Sequence, residues 1–206
     1  IVDAPTWQFT TLNPEVVQTM PTNEWQRVHP AAIMLITFNM PMDRASVEAA
    51  ATISADGLAV PVTFEWKDDR TVNLIPVAPL ALATEYTLSV AASASDINGG
   101  ATMDSDYVST FNTWPLPGVV STFPADGTVA DVWQRGTSIE FASPMEDATI
   151  EDQIIITPDP GDVDYFINEW EEGYSVYLDF ELTPDTEYIV TVPGTATDIF
   201  GNTMGE

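Results

Sequence analysis

Large apolar and polar residues alternate over short stretches of this chain, as they do in strands with one buried face. The alternation is clear at residues 6–11, where Trp7 and Phe9 stand among threonines and a glutamine. An almost continuous apolar run at 33–38 predicts a strand without a fully solvated face. Further strands are predicted in the first half of the chain at 51–54, 60–66, 71–76, 85–91 and 107–113.

Turn-forming residues separate these strands, and no long amphipathic helix interrupts them. Pro41 ends the strand at 33–38, because proline has no N–H to donate to a neighbouring strand. Residues 42–47 permit a short helical turn, with Asp43 as its N-cap. Short strands at this spacing predict an all-β fold of the β-sandwich type.

A six-residue motif occurs twice, as F-N-M-P-M-D at 38–43 and as F-A-S-P-M-E at 141–146, 103 positions apart. Other pairs keep offsets between 102 and 104, namely Glu65-Trp66 with Glu169-Trp170, Tyr86 with Tyr188, and Asp96 with Asp198. Trp25-Gln26-Arg27 also has a counterpart at 133–135. This regularity indicates a duplicated module. The Pro-containing stretch 114–118 predicts an extended linker between the two copies.

The phase of the repeat also makes predictions about the two ends of the chain. Residues 6–11 resemble 108–113, the closing strand of the first copy, at an offset of 102, and the second copy stops before a closing strand. We therefore expect 1–11 to be the closing strand of a preceding module or an N-terminal extension, 12–114 to be module 1, and 115–206 to be module 2 without its last strand. Two outcomes follow: an open edge on module 2, or β-augmentation of that edge by residues 5–11 of another molecule.

The charge of the chain is strongly acidic, with 32 Asp and Glu against 5 Lys and Arg and a formal net charge of −27. Such a field repels nucleic acid and anionic membrane surfaces, because binding them requires basic residues that displace counterions. The chain has no cysteine, which excludes disulfides and Cys-ligated zinc. No apolar run approaches the roughly 18 residues of a membrane span. No basic segment of a signal peptide opens the sequence, so we expect it to be a piece of a longer protein.

The order and spacing of these motifs are similar to those of a known family. The order is F-x-x-P-M-[DE], then a Trp, then L-x-x-x-[TS]-x-Y-x-[VL]-x-V, then D-x-x-G-N. In the second copy the later elements are Leu182, Thr186, Tyr188, Val190, Val192, Asp198, Gly201 and Asn202. The sequence resembles bacterial Ig-like domains of the S-layer (SbsA) type over nearly its whole length. The first copy departs from the pattern, because Gly100 stands where the D-x-x-G-N motif has Asn.

The resemblance implies two tandem immunoglobulin-like β-sandwiches in an extracellular or cell-surface bacterial protein. It also implies a non-catalytic structural or spacer region whose partners are the neighbouring domains of the parent protein, with no cofactor. The alternatives are an adhesion module that binds a protein or glycan, and the N-terminal region of an alpha-2-macroglobulin-like protease inhibitor. Neither nucleic-acid binding nor membrane insertion is expected.

Most conspicuous residues have a structural interpretation. Phe38, Met42, Phe141 and Met145 are expected in the two cores, since sandwich interiors need such volume. Tyr86 and Tyr188 lie beside turn residues, where a sandwich uses a tyrosine corner whose hydroxyl bonds to the backbone.

The aspartates of the second half of each copy have two interpretations. Asp96 and Asp198 precede glycines and are typical of Asx-turns. The alternative is calcium, which needs six to eight oxygen ligands. Candidate ligand sets are Asp96, Asn98, Asp104 and Asp106 in the first copy, and Asp159, Asp162 and Asp164 in the second. Neither set matches the calcium-loop pattern D-x-[DN]-x-[DN]-G with its distal Glu.

An enzyme is not expected. His29 is the only histidine and no nucleophile motif accompanies it. The acidic pairs Asp68-Asp69 and Glu171-Glu172 are expected at solvated hairpin tips rather than in a glycosidase site.

The environment of the six tryptophans would distinguish a spacer from a binding module. Burial of the tryptophans within the modules favours the spacer, and a shared exposed face favours binding. They are Trp7, Trp25, Trp66, Trp114, Trp133 and Trp170.

Overall fold

Strands predominate in the computed structural model, which describes residues 6–131, 135–151, 153–170 and 173–205, with Trp170 described by its backbone alone. The chain divides into two units, Ile1–Thr113 and Trp114–Glu206, called unit 1 and unit 2 below. Each unit has its own hydrophobic core.

Unit 1 is a sandwich of two sheets. Its strands are β1 (Val16–Met20), β2 (Trp25–Val28), β3 (Met34–Phe38), β4 (Ala51–Ala55), β5 (Leu58–Val60), β6 (Val62–Trp66), β7 (Thr71–Pro76), β8 (Glu85–Val90) and β9 (Tyr107–Thr113). One sheet has the order β1-β3-β7-β6, and the other has the order β2-β9-β8-β4-β5. All pairings are antiparallel except that of β2 with β9.

Alternating burial along the strands fills the space between the two sheets. In β3, Met34, Ile36 and Phe38 are buried, while the residues between them are only partly buried. Leu88 and Val90 of β8 face them from the second sheet and are buried as well. This period of two brings the apolar side chains onto one face of each sheet.

One short helix, α1 (Arg44–Ala50), crosses from β3 to β4. The Oδ2 of Asp43 accepts a hydrogen bond from the backbone N of Ser46 at 2.9 Å, so the predicted N-cap is confirmed. Val47 and Ala50 turn toward the core and are buried. Seven residues are few for a helix, so this cap and the packing of its inner face stabilise it.

Unit 2 repeats the first sheet of unit 1. Its strands are β10 (Val119–Phe123), β11 (Thr137–Phe141), β12 (Ile155–Thr157), β13 (Asp164–Trp170), β14 (Gly173–Asp179) and β15 (Ile189–Thr191), and a 3-10 turn at Asp147–Thr149 replaces α1. The larger sheet has the order β10-β11-β14-β13. A register irregularity between Val16 and Gln18 recurs between Val119 and Ser121. The duplication therefore extends to the details of strand pairing.

The second sheet of unit 2 is smaller. It contains β12 and β15, which pair antiparallel from Ile155 to Thr157 and from Ile189 to Thr191. In unit 1 the equivalent strands β4 and β8 are followed by β9 on the far side of β8. Among the residues described for unit 2, no strand pairs with the far side of β15.

Glycine is required at the start of β11. Gly136 has a φ of +61°, and a Cβ built there would lie 1.7 Å from the carbonyl oxygen of Leu178. Its backbone N donates to the carbonyl oxygen of Phe180. The close approach of β11 to β14 thus depends on the missing side chain.

Two strand predictions are wrong. Residues 6–11 were expected to form a strand, but 6–15 form none and Trp7 and Phe9 are exposed. An alternating segment becomes a strand when another strand supplies the hydrogen bonds, and among the described residues no strand pairs with 6–11. The predicted strand 60–66 is two strands, since Pro61 separates β5 in one sheet from β6 in the other.

Candidate functional site

The repeated motif and the D-x-x-G loop meet in one corner of each unit. In unit 1, Met42 forms an isolated bridge with Asp96, and the backbone N of Ile97 donates to the carbonyl oxygen of Pro41 at 3.1 Å. In unit 2, Met145 bridges Asp198 in the same way. We call these two places corner 1 (residues 38–43 and 95–102) and corner 2 (residues 141–146 and 197–203).

The apolar residues of the motif lie in the cores. Phe38, Met42, Phe141 and Met145 are all buried, as the sequence predicted. The proline between each Phe and Met accepts a hydrogen bond at its carbonyl oxygen from the D-x-x-G loop. The donors are the backbone N of Ile97 to Pro41 and of Ile199 to Pro144. The buried Phe and Met of the motif therefore fill the end of each sandwich core, which is a structural role.

The carboxylate of Asp198 organises corner 2. It is only 2% exposed, and its Oδ1 accepts from the backbone N of Phe200 at 3.0 Å and of Asn202 at 2.8 Å. The side-chain amide of Asn202 donates to both carboxylate oxygens at 3.1 Å. The hydroxyl of Ser143 donates to Oδ2 at 3.4 Å. Protein donors thus surround this carboxylate, as a buried charged group requires.

Corner 1 uses a different set of donors. The Oδ1 of Asp96 accepts from the backbone N of Gly100 at 2.6 Å and of Ala101 at 2.8 Å. The side-chain amide of Asn98 donates to Oδ2 at 3.3 Å. Asn98 therefore takes the part that Asn202 has in corner 2, which explains how the first copy tolerates Gly100 in place of asparagine.

The family comparison fits this architecture. Residues 10–113 and residues 116–206 each match the family described as bacterial Ig-like domain. The chain belongs to this family. The two Ig-like units therefore account for nearly all of the sequence, and the fold class predicted from the sequence is confirmed.

Solved structures with similar chains come from several kinds of bacterial protein. The N-terminal part of the S-layer protein SbsC is 16% identical, with 90% of this chain and 42% of that chain covered and a TM-score of 0.38. Alpha-2-macroglobulin from Escherichia coli, domains MG0-NIE-MG1, is 14% identical, with 87% and 60% covered and a TM-score of 0.38. L,D-transpeptidase 3 from Mycobacterium tuberculosis is 23% identical, with 62% and 44% covered and a TM-score of 0.34.

The Ig-like chain spans less than two thirds of each of these three solved chains. No curated protein matches it. The fold assignment therefore depends on the family match and on the sheets of each unit.

Both tyrosine corners are confirmed in the Ig-like units. The hydroxyl of Tyr86 accepts from the backbone N of Ala81 at 2.8 Å, and that of Tyr188 accepts from Thr183 at 3.2 Å. The ring of Tyr86 is buried and stacks on Phe111, with centroids 5.5 Å apart. These tyrosines hold turns against the sandwich, which is a structural role.

The candidate calcium ligands do not converge. Asp104 accepts from the side-chain amide of Asn13 at 2.7 Å, and Asp106 accepts from the backbone N of Ala92 at 2.7 Å. In unit 2, Asp159 caps its own turn by accepting from Gly161. Asp164 opens β13 opposite Asp179, and Asp162 is exposed. Among the residues that the structure describes, no three acidic or histidine side chains are grouped to hold a metal ion.

The side chain of His29 accepts a hydrogen bond within its own turn. Its Nδ1 accepts from the backbone N of Ala31 at 3.0 Å, within a turn that precedes β3. Asp68 and Asp69 lie between β6 and β7, at the predicted hairpin tip. The pair Glu171-Glu172 lies outside the described residues. Bacterial Ig-like domains are a non-catalytic family.

The tryptophans have different environments. In unit 1, Trp66 donates from Nε1 to Glu48 at 2.9 Å, and the guanidinium of Arg44 lies 5.4 Å from its ring. Trp7 is 83% exposed and Trp25 is 41% exposed. Trp114 is partly buried, while Trp133 and the side chain of Trp170 lie outside the described residues. Among the tryptophans whose side chains the structure describes, the two exposed ones thus lie in the first 25 residues.

The hydrogen bonds in corner 1 predict a pH effect. The backbone N–H of Ala101 is the main reason that the pKa of Asp96 lies below its ordinary value of 3.8, with Asn98 and Gly100 adding to it. The folded state then binds fewer protons than the unfolded state, so this contribution to stability is complete above pH 3.8 and is lost as the pH falls through the folded pKa.

The substitution Asp96→Asn tests this effect. Below about pH 5, the free energy of unfolding of unit 1 in urea should depend less on pH in Asp96→Asn than in the unchanged chain. The pKa of Asp68 is also below its ordinary value, because the backbone N of Arg70 donates to its carboxylate, but this effect is present in both proteins. If the free energy of unfolding of unit 1 fell equally with pH in the two proteins, Asp96 would not be the source of the effect.

Proposed function

We propose that this chain is a non-catalytic spacer within a larger secreted or cell-surface bacterial protein. In this role the two Ig-like units separate neighbouring domains of the parent protein and hold them at a set distance. The observation that carries the proposal is the corner in each unit. In both corners the Met of the motif pairs with the Asp of the D-x-x-G loop, and the carboxylates of Asp96 and Asp198 accept hydrogen bonds from their own unit.

The charge distribution is compatible with a spacer role. The net charge is −9 over residues 1–114 and −18 over 115–206, with Arg135 the only basic residue of the second half. A surface of this kind keeps the protein soluble and repels nucleic acid and anionic lipids. No helix among the described residues is long and apolar enough to cross a membrane.

A replacement experiment in the producing bacterium tests the spacer role. Residues 14–205 of the parent protein would be exchanged for two units of an unrelated Ig-like sandwich with the same total length, and export and surface activity would be measured. A spacer should tolerate the exchange with activity within about twofold, because it supplies length and stiffness rather than contacts. A matched variant with one unrelated unit should lose activity in proportion to the lost length.

The adhesion alternative gives a different result. If these units bind a protein or glycan, the exchange abolishes surface activity although the parent is still exported. That outcome would overturn the spacer proposal.

A further inference from the structure

The two corners differ in the residue that follows their asparagine. In corner 2 the asparagine is Asn202, and the next residue is the β-branched Thr203. In corner 1 the asparagine is Asn98, and the next residue is Gly99. No other asparagine in the sequence precedes a glycine. The difference matters chemically, because a glycine has no side chain to keep its backbone nitrogen away from the preceding amide.

The tip of corner 1 is open to solvent. Asn98, Gly99 and Gly100 are all exposed. Gly99 has a φ of +67°, and a Cβ built on it would meet no atom within 4 Å. Water therefore reaches the peptide bond between Asn98 and Gly99, and the surroundings leave room for a small ring to form there.

The hydrogen bonds of this tip lead to Asp96. The backbone N and the side-chain amide of Asn98 both donate to its Oδ2 at 3.3 Å, which is long for such bonds. The backbone N of Gly99 donates to the carbonyl oxygen of Asp96 at 2.8 Å. An exposed tip held in this way opens locally at a small cost compared with the unfolding of the whole unit. Each opening frees the nitrogen of Gly99.

We propose that Asn98 is a deamidation site, where the backbone nitrogen of Gly99 attacks the side-chain carbonyl carbon of Asn98. A bond forms between this nitrogen and Cγ, and the bond between Cγ and Nδ2 breaks. The amide nitrogen leaves as ammonia and takes the proton of the attacking N–H. Water then opens the cyclic imide at either of its two carbonyl groups, which gives an aspartate or an isoaspartate at position 98.

Both products disturb corner 1. The amide of Asn98 donates to Oδ2 of Asp96, so a carboxylate in its place removes a donor and brings a like charge to the same distance. Isoaspartate also lengthens the backbone, which displaces the N–H groups of Gly100 and Ala101 that bind Oδ1. Corner 2 has Phe200 at the equivalent position and escapes the reaction.

Unit 1 therefore loses stability as the protein ages, while unit 2 keeps it. The reaction needs only water and takes place within one loop, so it proceeds in the whole parent protein as well. This inference goes beyond the spacer role and does not depend on it.

The first test follows the modification by mass. The full chain would be incubated in mildly alkaline buffer and digested with pepsin in acid, and each peptide that contains asparagine would be weighed over time. The peptide with Asn98 should gain the mass of deamidation several-fold faster than the peptide with Asn202. Phe200→Asn gives corner 2 the same Asn-Gly pair, so its peptide should then be modified about as fast as that of Asn98. Equal rates at Asn98 and Asn202 in the unchanged chain would overturn the proposal.

The second test measures the effect on corner 1. Asn98→Asp reproduces the aspartate product, and it should lower the urea midpoint of unit 1 while that of unit 2 stays unchanged. Asn98→Ser is the matched control, because it removes the amide without adding a charge and cannot form the cyclic imide. The shift in Asn98→Asp should be about twice that in Asn98→Ser, since the like charge adds to the lost donor. Equal shifts in the two variants would overturn the proposed effect of the new carboxylate on Asp96.

Discussion

Unit 1 is expected to lose about 3–5 kcal/mol of its free energy of unfolding when Phe38 is replaced by alanine. The ring lies at the end of β3 in the interior of the sandwich, and Met42 of the same motif is buried beside it in the core. Alanine removes the buried apolar surface and leaves a cavity that the two paired sheets cannot fully close. Urea unfolding, monitored by hydrogen exchange of peptides from each unit, would measure the loss separately for unit 1.

The equivalent phenylalanine of unit 2 allows the same substitution to be compared in both units. Phe141→Ala should destabilise unit 2 by a similar amount, because Phe141 has the equivalent buried position. Val129→Ala should change neither unit by more than about 0.5 kcal/mol, since its side chain is exposed. Wild-type stability in Phe38→Ala would show that the motif does not belong to the core.

Asp198→Ala is expected to destabilise unit 2 by about 2–4 kcal/mol. The substitution removes the acceptor for two backbone N–H groups, the amide of Asn202 and the hydroxyl of Ser143. Ser143 is fully buried, so water does not readily replace the lost partner. The change in urea midpoint of unit 2, with unit 1 as an internal reference, checks the expectation.

Two further substitutions separate the causes. Asp198→Asn keeps one acceptor oxygen and should therefore recover about half of the lost stability. Recovery is incomplete because the new amide nitrogen is a donor and faces the donating amide of Asn202. Asp96→Ala should cost unit 1 less than Asp198→Ala costs unit 2, since corner 1 is more exposed to water. A larger effect at Asp96 would contradict this ranking.

Local pattern was sufficient for the strands with strong alternation. The bounds predicted for β7 and β9 agree with the structure, and β4 and β8 differ by a single residue. The core positions of the repeated motif were also predicted, because a duplicated Phe and Met at constant spacing indicate a shared packing role.

The strands that sequence reasoning missed have irregular backbones. β1 contains a register shift at Val16–Gln18, and β2 contains Arg27 with a φ of 60° and pairs parallel to β9. Such a residue breaks the period of two, so only the distant partner strand defines β2. The link between the motif and the D-x-x-G loop was likewise missed, because backbone hydrogen bonds across the fold leave no periodic signal in the sequence.

The corners also constrain the order in which the protein folds. Asp96 follows Met42 by 54 positions, and Asp198 follows Met145 by 53, so neither corner forms from local chain alone. Contacts at such separations require most of a unit to be synthesised first, and proteins rich in them fold in milliseconds to seconds rather than microseconds. On the ribosome, each unit should therefore stay open until its D-x-x-G loop has left the exit tunnel, and unit 1 should close while unit 2 is still being made.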